Sequence, residues 1–170
     1  MDWAKFPRGA AIGFGIACLT AAAAASAPLS PGAHFRAVKV DVSPIADSVG
    51  PPTSTWLAQV LPGELQAAFA DRLVPGDRSA PTLVVRIHSV YLGASGNGVI
   101  GPSGAVEAMD NIDGSAAVVG PNGGELAVYP LFVPLQNFTG GVNYETGTQQ
   151  NRIGQLAHAF AYWLPSQMGL

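Results

Sequence analysis

The chain is 170 residues long, 48% hydrophobic and 11% charged, with one cysteine and a formal net charge of −3. Eight basic residues, scattered singly, give no electrostatic footprint for a phosphate backbone, so nucleic-acid binding is disfavoured. A lone thiol supplies neither an intrachain disulfide framework nor a thiolate metal cluster.

Residues 1–27 read as an export signal. Lys5 and Arg8 make a positive start, Ala10 to Ala25 form an uncharged run of small apolar residues, and Ala23-Ala24-Ala25-Ser26-Ala27 offers small side chains to a signal peptidase. A cut after Ala27 would leave Pro28 as the first residue, which favours cleavage after Ala25 or Ser26. Two other fates stay open. The apolar run approaches the shortest length that spans a hydrocarbon core of roughly 30 Å, although Ala and Gly insert poorly beside Leu or Ile. Cys18 follows a small residue in Gly15-Ile16-Ala17-Cys18, as lipidation requires, but Gly15 stands where Leu is usual. Cleavage removes Asp2, Lys5, Arg8 and Cys18 and leaves six basic against ten acidic residues, a net charge of about −4. The expected location is the periplasm or the outside of the cell.

Pro28, Pro31 and Gly32 make residues 28–34 a flexible lead-in, and residues 35–170 are long enough for a single domain with its own core. Phe35 to Val42 alternates, with Val38, Val40 and Val42 on one side and Lys39 and Asp41 on the other, the period of a half-buried strand. From Thr53 the step changes. Trp56, Leu57, Val60, Leu61, Leu65, Ala68, Phe69 and Leu73 recur at three and four residues, one face of a helix, with a kink or break expected at Pro62-Gly63. Thr82 to Leu92 is a second strand with Leu83, Val85, Ile87 and Tyr91 on one face and Val84, Arg86, His88, Val90 and Leu92 on the other.

Gly93 to Gly104 reads as a glycine-rich loop, followed by a long third strand in which Val106, Ala108, Ile112, Ala116 and Val118 share one parity. Pro121-Asn122-Gly123-Gly124 turns the chain into a fourth strand, Glu125 to Val133, forming an antiparallel hairpin. Pro134 to Gln149 reads as a polar loop, and Ile153, Leu156, Phe160, Trp163 and Leu164 as the apolar stripe of a closing helix. The order β-α-β-β-β-α defines an α+β fold: one mostly antiparallel four-stranded sheet with two helices on one face.

Motifs that carry chemistry are weak. Gly96-Asn97-Gly98-Val99-Ile100-Gly101 satisfies the dinucleotide-binding glycine pattern, but Pro102-Ser103-Gly104 prevents the helix whose N-terminal amides would face a pyrophosphate, so a hairpin loop is expected and no nucleotide. Asp110-Asn111-Ile112-Asp113-Gly114 resembles a calcium loop lacking the acid where Met109 sits and the bidentate Glu where Gly120 sits. It reads as an Asx-rich turn or bulge, with Glu107, Asp110 and Asp113 as a weak cation site at most. Ser95 lacks the pattern and the following helix of a nucleophile elbow. No metal, cofactor or catalytic residue is assigned. The competing reading is an envelope hydrolase in which Asp71, Glu107 or Asp113 converges with His88 or His158.

Aromatic residues among amides mark the candidate partner-binding loop: Gln136, Asn137, Phe138, Asn143 and Tyr144. Asn137-Phe138-Thr139 would accept a glycan only in a eukaryotic secretory route.

An exported βα unit followed by a hairpin whose turn carries Gly120-Pro121-Asn122-Gly123-Gly124 resembles the small envelope proteins of Gram-negative bacteria, outer-membrane-assembly and transport-auxiliary lipoproteins among them. The resemblance covers element order over most of the mature chain and departs from that group at the lipidation site around Cys18. It implies a structural or adaptor part without an active site, with an envelope protein, lipid or glycan as partner. A membrane-tethered scaffold is the remaining alternative.

Overall fold

Alternation at Val38, Val40 and Val42 makes β1 (Ala37–Asp41), which pairs in parallel with β2 (Thr82–Tyr91) from Ala37 opposite Thr82 to Asp41 opposite Arg86. This computed structural model describes residues 26–93, 99–100, 106–137 and 146–170. Residues 1–25 and 138–145 lie outside that set.

The parallel crossover runs through a 3-10 turn (Ser43–Ile45), the single turn α1 (Ala46–Val49), the long helix α2 (Pro51–Ala68) and a second 3-10 turn (Ala70–Arg72). Gly50, at φ +78, sets up α2, and Pro51 and Pro52 occupy first-turn positions whose N–H groups have no intrahelical acceptor. The break expected at Pro62-Gly63 is absent. α2 is a single helix across Pro62, which lies between Leu61 and Leu65, both fully buried; packing of that face outweighs the hydrogen bond that proline cannot make.

β2 follows its expected parity only as far as Ile87. Ile87 pairs with Gly114 and Ser89 with Asp113, so His88 is an extra residue on β2 and everything after it changes face. Leu83, Val85 and Ile87 are buried; beyond the bulge Val90 and Leu92 pack on the core, and Tyr91 points out to solvent. The two-residue strand β3 (Val99–Ile100) lies in the stretch read as a glycine-rich loop and pairs antiparallel with β4 (Val106–Val119).

β4 is central, antiparallel both to β2 and to β5 (Glu125–Asn137). Asp110 to Gly114 therefore lies inside a strand and forms no Asx turn. The hairpin turn closes through Gly120 and Gly124, with Gly123 at φ +83. β5 runs four residues beyond the predicted Val133. Pro134 was expected to stop the strand, but β5 is the sheet edge. Pro130 and Pro134 share the parity of Val128, whose N–H points away from β4, so neither has a ladder bond to lose.

α2 and the closing helix α3 (Thr146–Gln167) pack on one face of the sheet. The result is the α+β arrangement read from the sequence, a four-stranded mixed sheet in the order β1-β2-β4-β5 with β3 added at one end of β4. Leu57, Leu61 and Leu65 of α2 and Ile153, Leu156, Phe160 and Leu164 of α3 meet Leu83, Val85, Ile87, Ile112, Ala116 and Tyr129 in the core. Trp163, placed in the apolar stripe by its spacing, is exposed instead. Ala157, Ala161 and Met168 belong to the buried arc, which turns the stripe away from Trp163, and its ring meets Tyr162 edge to face.

Ser26, Ala27 and Leu29, on either side of the boundary drawn after residue 27, make specific contacts. Val128 N donates to Ser26 Oγ (2.8 Å), the Tyr129 hydroxyl to Ala27 O (2.7 Å), and Leu29 N to Met168 O (2.9 Å). Burial raises the Tyr129 hydroxyl above its ordinary pKa, so it remains a donor.

At the other edge, Asp41 accepts from the Ser43 hydroxyl (2.6 Å), Ser43 N and Arg86 Nε (both 3.0 Å), and these bonds, the hydroxyl first, lower its pKa from the ordinary 3.8. A folded pKa below the unfolded one adds stability above the unfolded value, lost as pH falls through the folded value. Asp41→Asn is expected to cost under about 1 kcal/mol at neutral pH, because the group is well solvated, and nothing once acid has protonated the wild-type carboxyl. Urea midpoints at neutral pH and in acid check this; a cost that persists in acid would contradict it.

Candidate functional site

Three backbone segments meet at the end of the sheet where β2 ends and β4 begins, and one buried ion pair ties them together. Asp110 shares the inward parity of Ile112 and Ala116, which places a carboxylate in the core layer at 1% exposure. Such a burial requires a charge partner and hydrogen bonds. Arg152, in the first half of α3, provides them: Nε donates to Asp110 Oδ2 at 2.8 Å, and Nη2 contacts Asp110 Oδ1 and donates to Gly93 O at 2.8 Å. Gly93 N closes the ring by donating to Asp110 Oδ1 at 2.9 Å. The carboxylate, chiefly by hydrogen bonding, raises the already high pKa of the guanidinium, which stays charged throughout the working range. Glycine is required at position 93, because a Cβ there would meet Met109 O at 2.7 Å.

Above this brace, on the sheet face that the helices leave open, Tyr91 pairs with Asn111 and Met109 with Gln136. Tyr91, Met109 and Gln136 are all exposed. On the helix side a cleft of about 820 Å³ is lined by Val60, Leu135, Gln150, Asn151, Gln155 and His158, an apolar floor with an amide rim. The chain leaves β5 at Asn137 and returns at Thr146 at this same end.

Of the residues singled out from the sequence, Gln136 and Asn137 lie on β5 and not in a loop, whereas Phe138, Asn143 and Tyr144 lie outside the described residues. Asp110 and Asp113, offered as part of a cation site, stand on opposite faces of β4, with Asp110 bound to Arg152. Among the described residues no group of three or more His, Cys, Asp or Glu side chains could hold a metal ion. Of the acids and histidines named for a hydrolase, Asp113 and His88 share the open face of the sheet, and the side chain of Glu107 lies outside the described residues. His158 Nδ1 on α3 sits 2.9 Å from Glu64 Oε2 on α2, His88 Nε2 sits 2.9 Å from Ser115 Oγ on the open face, and Asp71 is in the turn after α2. The glycine pattern of 96–101 falls partly outside the described residues; its Val99 and Ile100 are strand.

The Asp110–Arg152 brace was missed in the sequence, although a signal exists. Asp110 is an acid at a core-parity position, and Arg152 is the only Lys or Arg after Arg86.

No family model and no curated protein matches the chain. Solved structures similar to it include a minor lipoprotein from Acinetobacter baumannii (13% identity, 80% of this chain and 92% of that one, TM-score 0.45). A Xanthomonas campestris protein of the DUF330 family is similar at 11% identity over 85% and 93% of the two chains, TM-score 0.48. Rare lipoprotein B from Shewanella oneidensis follows at 12% identity over 78% and 93%, TM-score 0.41.

Proposed function

We propose that this is an exported envelope protein that works by binding a partner, as an adaptor and not as a catalyst. The observation that carries the reading is the sheet end itself. Tyr91, Met109 and Gln136 stand exposed together on the open face, directly over a buried ion pair that fixes the ends of β2, β4 and α3 beneath them. An aromatic ring, a thioether and an amide on a rigid support suit recognition. The chemically versatile side chains nearby are committed to each other: Asp110 to Arg152, His88 to Ser115, His158 to Glu64. Phe138, Asn143 and Tyr144, which lie outside the described residues, are proposed to contribute to the same binding.

A photo-crosslinking residue at position 109 or 136, introduced into the chain in its own cells, is expected to give one shared adduct. The same probe at Lys39, exposed on the opposite edge of the sheet, is expected to give none. An identical pattern from all three positions, or no adduct at 109 and 136, would sink the reading.

A further inference from the structure

We infer that the chain is cut between Ala25 and Ser26, and that the N-terminus so made is a working part of the fold, a strap across the β5 edge. The inference rests on the reading of the protein as exported and is independent of the partner-binding surface proposed above.

The sequence offers cuts after Ala25, after Ser26 and after Ala27, with lipidation at Cys18 as a further fate. The fold separates them by what each residue holds. Ser26 lines a groove of about 510 Å³ on the open face of the sheet, together with Val84, Ala117 and Val128. One residue on, Ala27 O accepts from the hydroxyl of Tyr129, a member of the core on the helix side, and Leu29 N donates to Met168 O just beyond α3. Between Ser26 and Leu29 the chain therefore passes around the β5 edge from one face of the sheet to the other.

Two donors of the domain depend on that crossing. Val128 N, which points away from β4, has Ser26 Oγ as its acceptor, and the hydroxyl of Tyr129, a residue 3% exposed, has Ala27 O. A cut after Ser26 removes the first acceptor. A cut after Ala27 removes both and leaves a buried hydroxyl unpaired, which folded proteins avoid. A cut after Ala25 keeps both, follows the small-x-small pattern Ala23-Ala24-Ala25, and places a serine α-ammonium on the groove. The one acid lining that groove, Glu125, forms no ion pair among the described residues, so the charge made by the cut meets a counter-charge of the right sign. Lipidation at Cys18 would keep both acceptors as well, but Gly15 stands where that processing takes Leu, and no charge would reach Glu125.

Protein isolated from the soluble and membrane fractions of its own cells is read by intact mass, and by mild periodate followed by an aminooxy probe, which labels only a chain that begins with Ser or Thr. The mass of residues 26–170 and a labelled N-terminus are expected, and Ser26→Ala should keep the cut while abolishing the label. A start at Ala27 or Pro28, or a lipid-bearing chain that starts at Cys18, overturns the inference and leaves export standing. A full-length chain confined to the cytosol overturns both, and a full-length chain in the membrane overturns the cut alone. The strap has its own readout. In the exported protein Ser26→Ala and Tyr129→Phe should each lower Tm by roughly 2–4 °C, the loss of about one hydrogen bond apiece. A variant that leaves Tm unchanged overturns the strap's part in the fold, whatever the mass.

Discussion

Arg152→Met is expected to destabilise the fold by about 3–5 kcal/mol, the cost of breaking a buried ion pair from one side. Asp110 is 1% exposed, so removal of the guanidinium leaves its carboxylate in a medium that solvates charge poorly, and Gly93 O loses a donor in the same step. Asp110→Asn is expected to cost less, about 1–3 kcal/mol, because an amide oxygen still accepts from Gly93 N. The double variant should cost less than the sum of the two, since the groups act as one unit. Thermal unfolding reads the series directly: at roughly 2–4 °C per kcal/mol, Arg152→Met should lower Tm by roughly 10 °C. An Arg152→Met shift smaller than that of Asp110→Asn would show that the ion pair is not what holds this end together. The same substitution should weaken the adduct from position 109, because Asp110 adjoins that residue on β4.

Gly114→Ala is the second change with a large expected effect, about 1–3 kcal/mol. Gly114 faces the helices opposite Ile87, where β2 bulges, and an added Cβ would meet Arg86 O at 2.7 Å and both Ile87 Cδ1 and Phe160 Cζ at 3.1 Å. The Phe160 ring is seated on bare backbone. Phe160→Ala should cost about 3–5 kcal/mol through the cavity it leaves. Phe160→Leu combined with Gly114→Ala should recover part of the glycine's cost by vacating the ring position, but not all of it, because the Arg86 carbonyl cannot withdraw. Chemical denaturation of the wild type, Gly114→Ala, Phe160→Leu and the double variant gives the coupling, and strict additivity would exclude direct packing of the ring on the glycine.

Much of this architecture was legible because burial imposes a period. Valines at 38, 40 and 42 and the apolar parity of Ile112, Ala116 and Val118 located strands, and the three-to-four step through Leu57, Leu61 and Leu65 located α2. What escaped depended on pairing. His88 is one residue too many only in relation to Gly114, and nothing around it in sequence marks the change of face that exposes Tyr91. Pro134 ends a strand in isolation and is harmless once β5 is an edge. The brace at the candidate site joins residues 42 apart, each ordinary alone. Such long-range demands arise only after an inward-facing acid is recognised as needing a counter-charge.

The prolines of β5 also bear on how copies of this protein coexist. A long exposed strand is normally a template on which another chain can grow. Here every second donor along the edge counts, and Pro130 and Pro134 have none, while the Val128 amide is already engaged by Ser26. An incoming strand finds too few amides to register against, so fibrillar stacking through this edge is frustrated. Molecules crowded side by side would therefore stay discrete, with the exposed aromatic groups of this region open to other kinds of contact.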